Sequence, residues 1–197
     1  MLRAGQIGAI VCAACFAAPA LAHDGTGLAG GFVMGFEHPL SGLDHALAMV
    51  SVGLWGVFLG RPLVVLLPML FPTAMAVGGG LAIAGIPFPP IELGIALSVV
   101  TLGMMILFAV RAPVAVACTI VGAFALFHGY AHGKELPSAA DPIGYSMGFV
   151  LSTGLLHIAG IGLGMFKAVY AGAIALRVTG GVIALAGLWF VLQAFGL

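Results

Sequence analysis

Long apolar stretches, separated by short segments with proline, glycine or isolated charges, run along most of the chain. Each stretch is close to the roughly 20 residues with which an α-helix crosses the hydrocarbon core of a membrane. The boundaries predict six membrane-spanning helices. These helices are Leu40–Leu59, Leu63–Ala84, Ile91–Val110, Val114–Tyr130, Ile143–Phe166 and Tyr170–Phe195. The predicted fold is therefore an all-α, polytopic membrane protein.

The beginning of the chain has the pattern of a cleavable signal peptide. Arg3 supplies a positive start, Ile7 to Phe16 an apolar segment, and Ala20-Leu21-Ala22 a small-residue cleavage site. An uncleaved first span is the alternative. Cleavage would place His23 at the mature N-terminus, on the outer side of the membrane. The predicted division is a signal peptide over 1–22 and a six-helix transmembrane domain over 23–197.

The segment between the signal peptide and the first predicted span is rich in glycine. Residues 23–37 are predicted to form a short outer segment or a half-inserted helix. Pro39 is predicted in the first turn of the next helix, where its missing N–H would be unpaired in any case.

Composition supports a membrane location and excludes some partners. The chain is 62% hydrophobic and only 6% charged, whereas soluble domains have about 45–50% apolar and about 25% charged residues. The lipid bilayer is therefore an expected partner. Nucleic acid is not, because the net charge is zero and no basic run occurs. Trp55 and Trp189 are predicted to anchor the membrane interface.

Isolated basic residues predict the orientation of the spans. With an outer N-terminus, Arg61, Arg111 and Lys167 all fall in cytoplasmic connections, and Arg177 lies in the inner half of the last span. Only Lys134 falls outside. This distribution follows the positive-inside rule and places both termini on the outer side.

Polar side chains concentrate in two short segments of this apolar chain. We call residues 37–45 the first polar island and residues 127–135 the second polar island. Their candidate ligands are Glu37, His38, Asp44 and His45 in the first, and His128, His132 and Glu135 in the second. Hydrogen bonding at a membrane interface is the plain alternative. Imidazoles with carboxylates suit divalent Ni, Co, Zn or Fe, so the islands predict a metal site.

Spacing within the second island favours a shared ion. His128 and His132 are four residues apart, which puts both rings on one face of a helix. Glu135 joins them if the helix continues.

The spacing within the first island does not by itself indicate a shared ion. His38 and His45 share a helix face but lie about two turns, or roughly 10 Å, apart. Either Gly42 marks an unwound segment that folds the ligands inward, or the two histidines serve successive sites.

Two further histidines are candidates. His157 lies in the middle of the fifth predicted span, where it either makes a helix-packing hydrogen bond or binds the ion further along its path. His23 after cleavage would combine an α-amine with its imidazole, and those two nitrogens can chelate one divalent ion. The alternative is that His23 merely follows a cleavage site.

The two islands resemble the signatures of the HupE/UreJ family. The matching residues are His38-Pro39-x-x-Gly42-x-Asp44-His45 and Phe127-His128-Gly129-x-Ala131-His132-Gly133-x-Glu135. This family consists of small nickel, sometimes cobalt, permeases linked to hydrogenase and urease maturation. The resemblance implies Ni²⁺ uptake from the periplasm across a bacterial inner membrane. It also implies metal-handling roles for His38, Asp44, His45, His128, His132 and Glu135.

The sequence thus predicts a secondary importer of Ni²⁺, with Co²⁺ as an alternative substrate, and not an enzyme. The chain contains no phosphate-binding loop motif that would indicate an ATPase. For the oligomeric state, a homo-oligomer is one alternative. The rival functions are an intramembrane metal-dependent hydrolase, which would activate water on the same ligands, and a di-haem cytochrome.

Overall fold

The computed structural model describes residues 28–135, 141–168 and 170–197. Those residues form seven α-helices and one short 3₁₀ helix, and they contain no strand, so the all-α prediction is confirmed. The helices are α1 (Leu28–Ser41), α2 (Leu43–Leu59), α3 (Leu63–Ile83), α4 (Ile91–Leu107), α5 (Val114–Glu135), α6 (Pro142–Gly164) and α7 (Tyr170–Ala194), with the 3₁₀ helix Met165–Ala168 after α6. The predicted signal peptide and His23 lie outside the described residues.

Four of these helices, α3, α5, α6 and α7, are long and apolar enough to cross a membrane. The bent pair α1 and α2 passes the same criterion when taken together, and α4 is a shorter apolar helix of 17 residues. This pattern supports a multi-pass membrane protein, and the number of six spans stays a prediction. Helix α5 continues past its predicted end at Tyr130 to Glu135.

The segment before the first predicted span is itself a helix. Pro39 lies inside α1, near its C-terminal end, so the prediction of Pro39 in the first turn of a helix is wrong. A proline removes one backbone hydrogen bond from a helix interior. Here that loss falls within the last turn of α1, just before the helix ends at Ser41.

Helices α1 and α2 meet at Gly42 with a bend of 80°. Gly42 has extended backbone angles, with φ −88° and ψ 104°, and its carbonyl accepts the N–H of Ala46 at 2.9 Å. A Cβ at Gly42 would lie 3.2 Å from both Asp44 Oδ1 and His45 Nδ1. The absent side chain therefore leaves room for the Asp44–His45 pair. Of the two alternatives for the first polar island, the structure has the break at Gly42.

Glycines let helices pack backbone to backbone. Gly160 of α6 faces the backbone of Val50, and Gly164 faces the side chain of Val57 in α2. Helices α2 and α6 therefore run in the same direction. This close approach of small residues is how membrane helices commonly pack.

Helices α3 and α5 form a second pair of this kind. A Cβ at Gly129 would overlap the backbone of Met75, and one at Gly133 would lie 2.6 Å from Gly79. The glycines beside the histidines of the second island thus admit a neighbouring helix. The two helices again run in the same direction.

The core lies among the central helices and includes Trp55, Phe71, Leu102 and Val121. Trp55 is fully buried, and its Nε1–H donates to the Val110 carbonyl at 3.0 Å. The prediction that Trp55 anchors the membrane interface is therefore wrong, because the indole N–H finds its partner inside the protein.

Candidate metal centre

The two polar islands meet at one end of the helix bundle. His132 of α5 lies between His38 of α1 and His45 of α2, with ring centroids 4.8 Å and 4.7 Å away. His45 also lies 5.0 Å from His128. We call these four residues the imidazole cluster. The bend at Gly42 makes the cluster geometrically feasible, since a straight helix would hold His38 and His45 two turns apart.

Glu135 joins the cluster at its exposed side. Its Oε2 lies 3.1 Å from His38 Nε2 and 3.5 Å from His132 Nδ1. One ligand atom from each of these three residues lies within 4.8 Å of the other two. Because α5 continues to Glu135, the carboxylate reaches the same face as His132. This spacing suits one divalent ion shared by two imidazoles and a carboxylate.

Asp44 orients His45. Asp44 Oδ1 lies 2.8 Å from His45 Nδ1 and also accepts the backbone N–H of His45 at 2.8 Å. A carboxylate can only accept, so Nδ1 carries the hydrogen and Nε2 keeps its lone pair. Nε2 is buried and has no hydrogen-bond partner among the described residues. A carboxylate behind a ligating histidine typically fixes its tautomer and raises its basicity.

A hydrogen bond also fixes the tautomer of the His128 ring. Its Nδ1–H donates to the Phe124 carbonyl at 2.9 Å, one turn earlier in α5. Its side chain is fully buried, and within the described part of the chain Nε2 has no hydrogen-bond partner. His45 lies against both His128 and His132. The two histidines spaced four apart are therefore joined through His45 into a single group.

The other candidate residues lie outside the cluster. Glu37 is exposed on α1. His157 is buried in α6 and contacts Phe71, whose ring centroid lies 5.3 Å from His157 and 5.4 Å from His128. The structure does not describe His23.

Helix α6 supplies an aromatic wall that the sequence did not single out. Phe149 lies 4.4 Å from the His132 ring, and Tyr145 lies 5.9 Å from the His38 ring, measured between centroids. A cavity of about 320 Å³ adjoins His132, Tyr145 and Phe149. Helix α6 is mostly apolar with scattered serine, threonine and histidine, and that pattern did not distinguish these two aromatic residues from lipid-facing ones.

Comparison with known proteins identifies the family to which the chain belongs. The sequence profile described as HupE / UreJ protein matches residues 11–190. The chain belongs to the HupE/UreJ family of transporters. Protein HupE of Rhizobium leguminosarum bv. viciae is similar to this HupE/UreJ chain, with 47% identity over 175 residues that cover 88% of the chain and 92% of the relative. No solved structure matches the chain.

Proposed function

We propose that this HupE/UreJ protein is a secondary transporter that imports Ni²⁺ from the periplasm across a bacterial inner membrane. Co²⁺ is the alternative substrate, and the ion would serve maturation of a metalloenzyme such as a hydrogenase or urease. The observation that carries the proposal is the convergence of both polar islands on one cluster of four imidazoles with a carboxylate at its exposed side.

The ligand chemistry favours a borderline first-row ion. Neutral imidazole nitrogens and carboxylate oxygens suit Ni²⁺ and Co²⁺, whereas thiolates favour copper(I). Cys118 is the one cysteine in the described ranges, and it lies in α5 away from both islands. A transport site must also release its ion, and a set dominated by neutral ligands binds without trapping it.

The burial of the side chains increases from Glu135 to His128, and this gradient suggests a direction for the movement of the ion. The exposed fraction of the side chain falls from 53% at Glu135 and 33% at His38 to 9% at His132. His128 is fully buried. We propose that the ion enters at Glu135 and moves inward from ligand to ligand. The α-amine and imidazole of His23, after cleavage at Ala22, would capture it first.

The helix directions are compatible with a cluster at the periplasmic end. If each of α2 to α7 crosses once, α2 and α6 run the same way, as do α3 and α5, and their glycine contacts agree. The connection after α3 then lies at the same end as the cluster, where the Tyr130 hydroxyl donates to the Ile86 carbonyl at 2.9 Å. Arg61 and Arg111 lie at the opposite end. The positive-inside rule makes that end cytoplasmic.

Uptake of radioactive Ni²⁺ and Co²⁺ by cells that express the chain tests the proposal. We expect accumulation above that of cells without the chain, and loss of accumulation with His45→Ala at an equal membrane level. Equal accumulation with and without the parent chain would contradict import. Lipid or peptide hydrolysis that depends on the same histidine would instead favour the metal-dependent hydrolase.

A further inference from the structure

A fifth histidine is buried beyond the cluster. The His157 side chain is only 1% exposed, and neither ring nitrogen has a hydrogen-bond partner among the described residues. A buried imidazole without partners is costly, because its polar nitrogens have given up their hydrogen bonds to water. A packing role does not require such a group, since an apolar side chain of similar size would avoid that cost.

His157 is aligned with the inner end of the cluster. The Phe71 ring lies between His157 and His128, with centroids 5.3 Å and 5.4 Å away and both contacts edge-on. His128 is the most deeply buried member of the cluster, and its Nε2 is also without a partner in the described ranges. One aromatic side chain therefore separates the last cluster imidazole from the next one.

An oxygen ligand is available near His157. Thr153 lies one turn before it on the same face of α6, and its hydroxyl is buried and unpartnered among the described residues. A Cβ at Gly53 of α2 would overlap the His157 carbonyl, so α2 and α6 approach closely at this level.

We propose that His157 is the imidazole ligand of a second, inner binding position for the transported divalent ion. The inference rests on the proposed import function and deepens it. One imidazole supported by the Thr153 hydroxyl binds a first-row ion more weakly than the cluster does. A weaker position further along the path receives the ion from His128 and releases it towards the cytoplasm.

Equilibrium binding of Co²⁺ to the purified full chain tests for this position. His157→Gln keeps a polar side chain of similar length but removes the imidazole. We expect His157→Gln to bind one fewer Co²⁺ equivalent than the parent, with the visible absorption of the cluster unchanged. His132→Ala should instead lose the visible absorption of the cluster and keep the Co²⁺ equivalent bound at the inner position. Equal numbers of Co²⁺ equivalents in parent and His157→Gln would overturn the inference.

A cysteine substitution at His157 distinguishes, by absorption spectroscopy, a metal ligand at this position from a side chain that only packs. His157→Cys, in a background where Cys12, Cys15 and Cys118 are replaced by alanine, offers a thiolate at the same position. Direct ligation predicts a thiolate-to-cobalt charge-transfer band on addition of Co²⁺. Absence of the band in a variant that still shows the cluster absorption would assign His157 to packing alone.

Uptake distinguishes failure of this inference from failure of the proposed function. At scarce Ni²⁺ we expect His157→Gln to lower the uptake rate at least about tenfold, the size typical when a ligand-sphere group is removed. Parent-level uptake by His157→Gln would overturn the inner position and leave import intact. No uptake by the parent chain would overturn both.

Discussion

Single residues in and around the imidazole cluster divide into proposed ion ligands and residues that orient a ligand. Glu135 Oε2 lies beside the ring nitrogens of His38 and His132, where an ion can be shared. Asp44 instead accepts two hydrogen bonds from His45. Its carboxylate is therefore expected to act on the ion through the imidazole.

This distinction predicts the behaviour of Asp44→Asn. Asparagine keeps the shape but loses the charge that supports the His45 Nδ1–H, so uptake should fall by about 10–100-fold. Asp44→Glu should be partly active. Because Asp44 acts through His45, adding Asp44→Asn to His45→Ala should lower the Co²⁺ affinity of the purified chain no further. A double variant that is weaker than His45→Ala alone would show an independent role for Asp44.

The two glutamates near the cluster give a matched pair. Glu135→Gln removes the carboxylate between His38 and His132, and uptake at scarce Ni²⁺ should fall at least about tenfold. Glu37→Gln changes an exposed side chain of α1 and should stay within about twofold of the parent, as surface changes usually do. Initial uptake rates at equal membrane levels provide the measurement. A larger loss for Glu37→Gln would place the entry site on α1 instead.

The sequence could predict the candidate ligands of the metal centre but not the residues that contact these ligands from other helices. Imidazoles and carboxylates stood out from an apolar chain, and their spacing indicated which ones share a helix face. The aromatic wall of Tyr145 and Phe149 and the linking role of Phe71 depend on contacts between distant helices. Apolar periodicity carries no signal for such contacts.

At the scale of helices, glycine positions decide which elements approach and where a helix breaks. The polar island around Gly42 allowed either a break or two successive sites, and the 80° bend selects the break. Pro39 was misplaced because α1 continues through it and ends only at Ser41, so the helix loses one backbone hydrogen bond in its last turn. Local sequence thus allowed a change of direction at Gly42 but did not require it, whereas the angle depends on the packing of α1 and α2 against α6.

Helix packing predicts a large difference between two glycine substitutions. A Cβ at Gly129 would overlap the Met75 backbone, whereas one at Gly154 would meet nothing within 4 Å. Gly129→Ala should destabilise the protein by about 1–3 kcal/mol or more, as overpacking does. Gly154→Ala should leave stability nearly unchanged. Thermal unfolding of the purified variants in detergent measures both, and equal midpoints would contradict the close packing of α3 on α5.

For the whole molecule, helix direction and charge together predict the orientation in the membrane. Helices α4 and α7 run in opposite directions, since Gly187 lies beside Val100 and Gly180 beside Leu107. Six alternating crossings would produce this relation as well as the same-direction pairs. The connection between α3 and α4 would then face the periplasm, and Arg61 the cytoplasm.

Cysteine labelling tests that orientation. In a cysteine-free background, Pro89→Cys at the exposed connection after α3 should react with a membrane-impermeant thiol reagent added to spheroplasts. Arg61→Cys should react only after the membrane is opened. Both positions are exposed on the protein, so burial does not explain a difference between them. The reverse labelling pattern would contradict import from the periplasm.

Transport by the purified chain in liposomes tests the central claim most directly, because no other protein is present to move the ion. The measurement is Ni²⁺ entry, followed with a metal-sensitive dye trapped inside. We predict a faster dye response with the parent chain than in protein-free liposomes, and a protein-free rate with His132→Ala. Equal responses for the parent chain, His132→Ala and protein-free liposomes would contradict the assignment of the imidazole cluster to nickel transport.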